Sequence, residues 1–273
     1  MTGSRSGNPT LLGLPYDASS SFLRGAAAAP PLIRQALHSP AGNPWTETGV
    51  DLAARGLLGD AGDVPLGTSS AEVRAKIEDA VRTLLEAGAR PIVLGGDHSV
   101  SYPVIRAVRW RHPRLSVLHF DAHPDLYPEF EGDPYSHACP MARVMEERLA
   151  DQLVQVGIRT MNATQRAQAE RFGVEVIDMR GWVAGRRPTP RHPLYISIDL
   201  DAFDPAFAPG VAHREPGGLT VRDVLTVLHG LTVPIVGGDV VEFNPQQDAT
   251  GQTASVCAKL VKELAGTMIS AAG

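Results

Sequence analysis

Short apolar runs alternate with amphipathic stretches almost from end to end of this 273-residue chain, and that alternation restricts the fold more than any other feature. Leu11–Leu14, Ile92–Leu94, Ser116–Phe120, Leu153–Val156, Val174–Ile177, Leu194–Ile198 and Ile235–Val241 read as strands. Between them Ala71–Ala87, Ser101–Arg111, Ala138–Leu149, Ala163–Phe172, Val221–Leu228 and Thr253–Leu264 carry apolar residues near the 3.6 spacing of a helix. Parallel strands need long crossovers, so strand–helix alternation predicts an α/β fold with a mostly parallel sheet covered on both faces. Ser70 stands where the first of these helices needs an N-cap, with Glu72 in its first turn. Ser39–Thr46 and Gly185–Pro193 read as loops. No repeat or low-complexity linker interrupts the pattern, and residues 1–273 are expected to form one domain.

Hydrophobic residues make up 43% of the chain and are spread evenly, with no block of membrane length. A formal charge of −5 argues against nucleic acid as a partner. Cys139 and Cys257 form no spacing motif and read as free thiols of a reducing compartment. The polar stretch Met1 to Pro9 has no apolar core of a signal peptide, so the expected location is the cytoplasm.

The chemistry concentrates at strand ends. In Val117-Leu-His-Phe-Asp-Ala-His-Pro-Asp125, the side chains of Asp121, His123 and Asp125 lie two apart and point the same way on an extended backbone. Clustered acceptors of this kind repel one another and are costly to desolvate, and a bound cation relieves both. Pro91-Ile-Val-Leu-Gly-Gly-Asp-His98 and Leu194-Tyr-Ile-Ser-Ile-Asp-Leu-Asp201 repeat the design, each ending an apolar run in candidate ligands. All stand where open α/β sheets place their sites. A lone Asp-x-His-x-Asp is a weak signal, whereas three matching segments are a strong one. His98, Asp121, His123, Asp125, Asp199 and Asp201 are too many for one ion but suit two, if some carboxylates bridge. The oxygen-rich set favours manganese, with nickel, cobalt or iron as alternatives, and without thiolates a structural zinc site is disfavoured.

Other polar residues have blander readings. His119 reads as a buried, hydrogen-bonded histidine rather than a seventh ligand. Asp97 and Asp204 read as residues that orient ligands or close turns. His213 and Glu215 lie in a Gly/Pro-rich loop that either rims a pocket or simply faces solvent, and Cys139 reads as a packed thiol.

Gly95-Gly-Asp-His98, the Asp121–Asp125 segment, Ser197-Ile-Asp-Leu-Asp-Ala-Phe-Asp-Pro205 and Val241-Glu-Phe-Asn-Pro245 resemble the four signatures of the ureohydrolase family, the arginases and agmatinases. The likeness begins at Gly13-Leu-Pro-Tyr-Asp-Ala-Ser-Ser-Ser-Phe22 and continues through Ala29-Pro-Pro-Leu-Ile-Arg34. It is nearest the plant-type arginase branch in Phe130-Glu-Gly, Tyr135-Ser-His137 and Pro209-Gly-Val-Ala-His-Arg-Glu-Pro-Gly-Gly218. The resemblance implies a three-layer α/β/α fold and two manganese ions bridged by hydroxide. One ion would take His98, Asp121, Asp125 and Asp199, and the other His123, Asp121, Asp199 and Asp201. It also implies that Glu242 pairs with a substrate guanidinium and that His137 shuttles a proton to the departing amine.

The implied reaction is cleavage of the guanidino group of Nω-hydroxy-L-arginine or L-arginine, giving L-ornithine plus hydroxyurea or urea. Short length and plant-like motifs are similar to the family's hydroxyarginine amidinohydrolases of antibiotic biosynthesis, which places the hydroxylated substrate slightly ahead. Agmatine or another guanidino compound is the alternative. A metal-stabilised binding protein and a one-zinc deacetylase of similar fold are the competing classes. The full set of six ligands, with His137 and Glu242, disfavours both. Tyr127 and Asn162 stand where animal-type arginases carry the polar residues that read the amino-acid end of arginine. Arg214 is expected to hold a substrate carboxylate and so to disfavour agmatine. The expected partner is a small guanidino substrate, with neither nucleic acid nor membrane, and homo-oligomerisation is left open.

Overall fold

The computed structural model describes residues 7–54 and 56–270. Its strands are β1 (Pro9–Gly13), β2 (Gly59–Asp63), β3 (Arg90–Leu94), β4 (Ser116–Phe120), β5 (Gln152–Ile158), β6 (Glu175–Asp178), β7 (Leu194–Asp199) and β8 (Ile235–Val241). They form one sheet in the order β2-β1-β3-β8-β7-β4-β5-β6, and every pairing is parallel. The helices are α1 (Ala29–Leu37), α2 (Ser70–Glu86), α3 (Ser101–Arg111), α4 (Pro140–Glu146), α5 (Ala163–Phe172), α6 (Met179–Val183), α7 (Val221–Gly230) and α8 (Gln252–Ser270).

Alternate residues of each strand feed two separate cores, as a two-residue side-chain period demands. Leu11, Ile92, Leu118 and Ile196 pack with Ile33 of α1, Val224 and Leu228 of α7, and Leu260 and Leu264 of α8. Their neighbours Leu12, Val93, Val117 and Tyr195 pack with Ile77 and Val81 of α2, Val104 and Val108 of α3, and Met141 and Val144 of α4. The result is three layers, helices on sheet on helices. The central strands are buried on both faces, which is why they read as continuous apolar runs.

The sequence pattern misses β2, α1 and α6. β2 is Gly-Asp-Ala-Gly-Asp, four of its five residues exposed, with no apolar signal to read. It is an edge strand held by backbone bonds to β1 and by Arg34, whose guanidinium reaches Asp60 at 2.8 Å and Asp63 at 2.5 Å. α4 is shorter than the expected Ala138–Leu149, because Pro140 starts it and Arg148 turns left-handed at φ 55°. Ser70 is not a cap. It is the first residue of α2, while Ser69 holds the extended cap position without a side-chain cap bond. No described helix is long and apolar enough to cross a membrane.

Candidate metal centre and its proton-transfer neighbours

The site residues leave four strands that are side by side in the sheet, β3, β8, β7 and β4, all at their C-terminal ends. His98 opens a single helical turn just after β3, Asp121 follows β4, Asp199 ends β7 with Asp201 two residues on, and Glu242 follows β8. Two of these positions carry backbone strain. Asp125 at φ 50° and Glu242 at φ 62° are left-handed, a conformation disfavoured for residues with a Cβ and concentrated at functional sites. Gly96 is required by contact: a Cβ there would stand 1.7 Å from the Tyr16 carbonyl oxygen. That approach lets Asp97 N donate to Tyr16 O at 2.9 Å and Glu242 N donate to Gly96 O at 2.8 Å.

The six candidate ligands fall into two groups that share Asp121. His98 Nδ1 faces Asp121 Oδ2 at 3.2 Å, Asp125 Oδ2 at 3.0 Å and Asp199 Oδ2 at 3.2 Å. His123 Nδ1 faces Asp201 Oδ2 at 2.9 Å and Asp121 Oδ1 at 3.4 Å. Two further carboxylate oxygens are held by backbone donors: Asp199 Oδ1 by Asp201 N and Asp201 Oδ1 by Ala122 N.

Whether these residues fit a cation can be read from the His98 ring. Ser197 Oγ donates to Asp239 Oδ1 at 2.7 Å, so its oxygen is free to accept from His98 Nε2 at 2.9 Å. Nε2 of His98 therefore carries a proton, and the nitrogen left facing three carboxylates is Nδ1. It is buried and has no hydrogen-bond partner. An orphaned nitrogen among carboxylate oxygens, its tautomer fixed from behind, is the arrangement a divalent ion satisfies.

The electrostatics agree. Burial and the neighbouring Asp201 and Asp121 charges push Asp199 well above the usual carboxylate range. Burial and Asp121 raise Asp201 to about 6. Burial also opposes ionisation of Asp121, but the imidazoles of His119, His123 and His98 hold it well below that range. His98 and His123 are both driven up by these carboxylates against their burial. Protons shared among these imidazoles and carboxylates offset the clustered charge, and a bound cation would displace them.

Beside it stands a bonded pair. His137 Nδ1 donates to Glu242 Oε1 at 3.0 Å, and the same oxygen accepts from His98 N at 2.8 Å. Burial lowers the His137 pKa, yet its bond to Glu242 wins and raises it to about 9. Glu242 is lowered despite burial, chiefly by His137. Ser21 Oγ lies 2.9 Å from His137 Nε2, a partner that the sequence reading missed. Asp97, raised to about 7 by burial and the Glu242 charge, accepts from Ser19 N at 2.9 Å and so ties the loop carrying Ser21 to the site. Asp239 was also missed, although a carboxylate inside an apolar strand must find buried donors, here Ser197 and Tyr195.

Ser21, His137, Glu242 and four of the candidate ligands line a cavity of 210 Å³ with Tyr127, Phe130, Thr160 and His213, and among the described residues neither lysine nor arginine lines it. The His213 ring lies 5.3 Å from that of His137 and 6.0 Å from that of His123, so it rims the pocket. Glu215 does not line it, and Asp204 closes a turn by accepting from Ala206, Gly217 and Gly218 N. Arg214 departs from expectation. Its guanidinium bonds Pro209 O and Gln247 outside the cavity, because the nearby loop offers it carbonyls. Asn162 caps α5 and donates to Tyr127 OH at 2.6 Å. A larger cleft of 610 Å³ lies between α5 and α6, but it holds none of the clustered ligands, and size alone does not make it the site.

A fully parallel sheet with clustered His/Asp ligands and an adjoining His–Glu pair at its C-terminal edge defines a candidate metal-dependent α/β hydrolase. Residues 8–266 match the arginase family. Mitochondrial arginase 1 of Arabidopsis thaliana is 48% identical over 97% of this chain and 82% of its own length. The agmatinase of Bacillus subtilis (strain 168) is 32% identical over 93% of this chain and 89% of its own. Among solved structures, the arginase from Medicago truncatula matches with a TM-score of 0.91 at 46% identity, covering 96% of this chain and 87% of that one. The chain belongs to the arginase family and is a ureohydrolase.

Proposed function

We propose that the protein is a binuclear manganese amidinohydrolase whose 273 residues work as one domain. It cleaves the guanidino group of Nω-hydroxy-L-arginine or L-arginine to L-ornithine plus hydroxyurea or urea. The observation that carries this reading is the shared Asp121, with one oxygen toward His98 and the other toward His123. His98, Asp121, Asp125 and Asp199 would hold one ion, and His123, Asp121, Asp199 and Asp201 the other. When bound, the pair would lower the pKa of water and supply hydroxide near neutral pH.

The chain's own residues then have distinct tasks. Four aspartates would balance two divalent ions, so Glu242, paired through Oε1 with His137, keeps its carboxylate charge on the cavity wall. Among the described residues its Oε2 takes no hydrogen bond, so it is available to a guanidinium, and the cationic substrate offsets its desolvation. His137, held at Nδ1 by Glu242, is protonated at neutral pH and can deliver that proton to the departing amine. Ser21 Oγ can accept from the charged ring at Nε2 or donate to the neutral one, so it can hold the ring in both states.

Agmatine remains the second reading, because among the described residues no lysine or arginine lines the cavity to reject a substrate lacking a carboxylate. The test offers manganese-loaded protein L-arginine, Nω-hydroxy-L-arginine and agmatine at equal concentration, following ornithine or putrescine. A higher kcat/KM for hydroxyarginine is expected. A higher value for arginine would leave the reaction class standing and overturn the substrate preference, and release of neither product would overturn the function.

A further inference from the structure

Gln155 stands on β5, fully buried, outside both ligand groups and outside the cavity lining. It is the register partner of His119 on β4. We propose that Gln155, acting through His119, is a positioning residue for Asp121 that keeps this carboxylate facing both cation sites. The role rests on the reading of Asp121 as a shared ligand.

Gln155 Nε2 lies 2.6 Å from Pro124 O and 3.0 Å from His119 Nδ1. A carbonyl oxygen only accepts, so the nitrogen end of the amide must face Pro124, which fixes the amide's orientation. Its second N–H then points at His119 Nδ1, which must carry a lone pair. The ring proton is consequently on Nε2, and it is donated across 2.8 Å to Asp121 Oδ2. Turning the amide over would set oxygen against oxygen at Pro124. It would also favour the other tautomer of His119, with a bare nitrogen against a carboxylate.

This arrangement has a visible cost. Gln155 Oε1 is buried with no hydrogen-bond partner, and a buried amide oxygen left unpaired is destabilising. The side chain is therefore held by what its nitrogen does. His119 is one of three residues, with His98 and Asp121, whose ligand atoms lie within 4.8 Å of one another. A ring nitrogen that donates its proton has no lone pair for a metal, so His119 is a donor to the ligand and not itself a ligand. On the other side Asp121 Oδ1 accepts from His123 N at 2.6 Å. Both oxygens are thus pinned, and the same amide anchors Pro124, between His123 and the left-handed Asp125.

The test uses manganese alone as the probe, titrated calorimetrically into metal-free wild type, Gln155→Leu and Gln155→Glu. Long-range imidazole NMR correlations on the wild type read the His119 tautomer without any substitution. The expected result is a proton on Nε2 of His119 in the wild type, and manganese affinity about 10–100-fold weaker in Gln155→Leu. Gln155→Glu, which puts an acceptor in place of both donors, should weaken it further. A wild-type proton on Nδ1, or unchanged manganese affinity in both variants alongside a lowered Tm, would overturn the role. Neither readout involves turnover, so a failed substrate assay would leave this proposal standing.

Discussion

At the scale of single residues, the site is governed by which nitrogen carries a proton. Ser197 and Asp239 fix His98 from behind, as Glu242 and Ser21 hold His137 from both sides. These two imidazoles differ in a checkable way. His98 turns an orphaned Nδ1 to three carboxylates, whereas the pKa of His137 is raised to about 9, against its burial, by one carboxylate partner. Replacing His137 with alanine should lower kcat by roughly 100-fold or more while metal content is retained, since loss of a general acid has that effect. Metal analysis beside steady-state kinetics checks it, and full activity in the variant would remove His137 from the mechanism. The six candidate ligands could be singled out because each follows an apolar run within a few residues. Ser21, 116 residues from its partner, left no mark that spacing could reveal.

At the scale of elements, the strands deliver the chemistry at one end of the sheet, while ion pairs tie loops to the covering helices. Glu47 illustrates this, in a loop joined to α7 by Arg222 at 2.6 Å and to α8 by Lys259 at 2.9 Å. Arg222 foremost, then Lys259, depress its carboxyl to about 2. A carboxyl with a lowered folded pKa contributes stability that is complete above its unfolded value, near 4.5, and lost as the pH falls toward 2. Glu47 is partly exposed and screened, so Glu47→Gln should cost less than about 1 kcal/mol at pH 7. The gap between variant and wild type should close by about pH 2, which urea denaturation at several pH values would measure. A gap that persists in acid would show that the ion pairs are not its source. Most elements with an apolar period were readable in advance, although α1, which buries Ala29, Pro30 and Ile33, was not recognised. β2 was not, because Arg34 and the β1 backbone hold it while its own side chains bury almost nothing.

At the scale of the whole molecule, the unrelieved carboxylates make the fold's stability depend on what neutralises them. Chelating the metal should lower Tm reversibly. One site at a free ion concentration about 1,000 times its Kd adds about 4 kcal/mol, or roughly 8 °C or more for a chain of this size. Thermal melts with chelator and with manganese restored would test this, and an unchanged Tm would count against cation binding in the sheet's C-terminal cluster. The sequence by itself determined the class of fold, since strand–helix alternation leaves little but a covered parallel sheet. It also placed the candidate donor atoms, because residues at strand ends are written locally. Only the tertiary structure decided the order β3-β8-β7-β4 that makes residues 98, 121, 199 and 242 neighbours. It alone decided that Gln155 and Asp239 stand behind the ligands and that Arg214 turns away from the cavity. Periodicity records how each segment meets its own layer. Strand order and partner choice are set by packing among segments a hundred residues apart, which leaves no period to read.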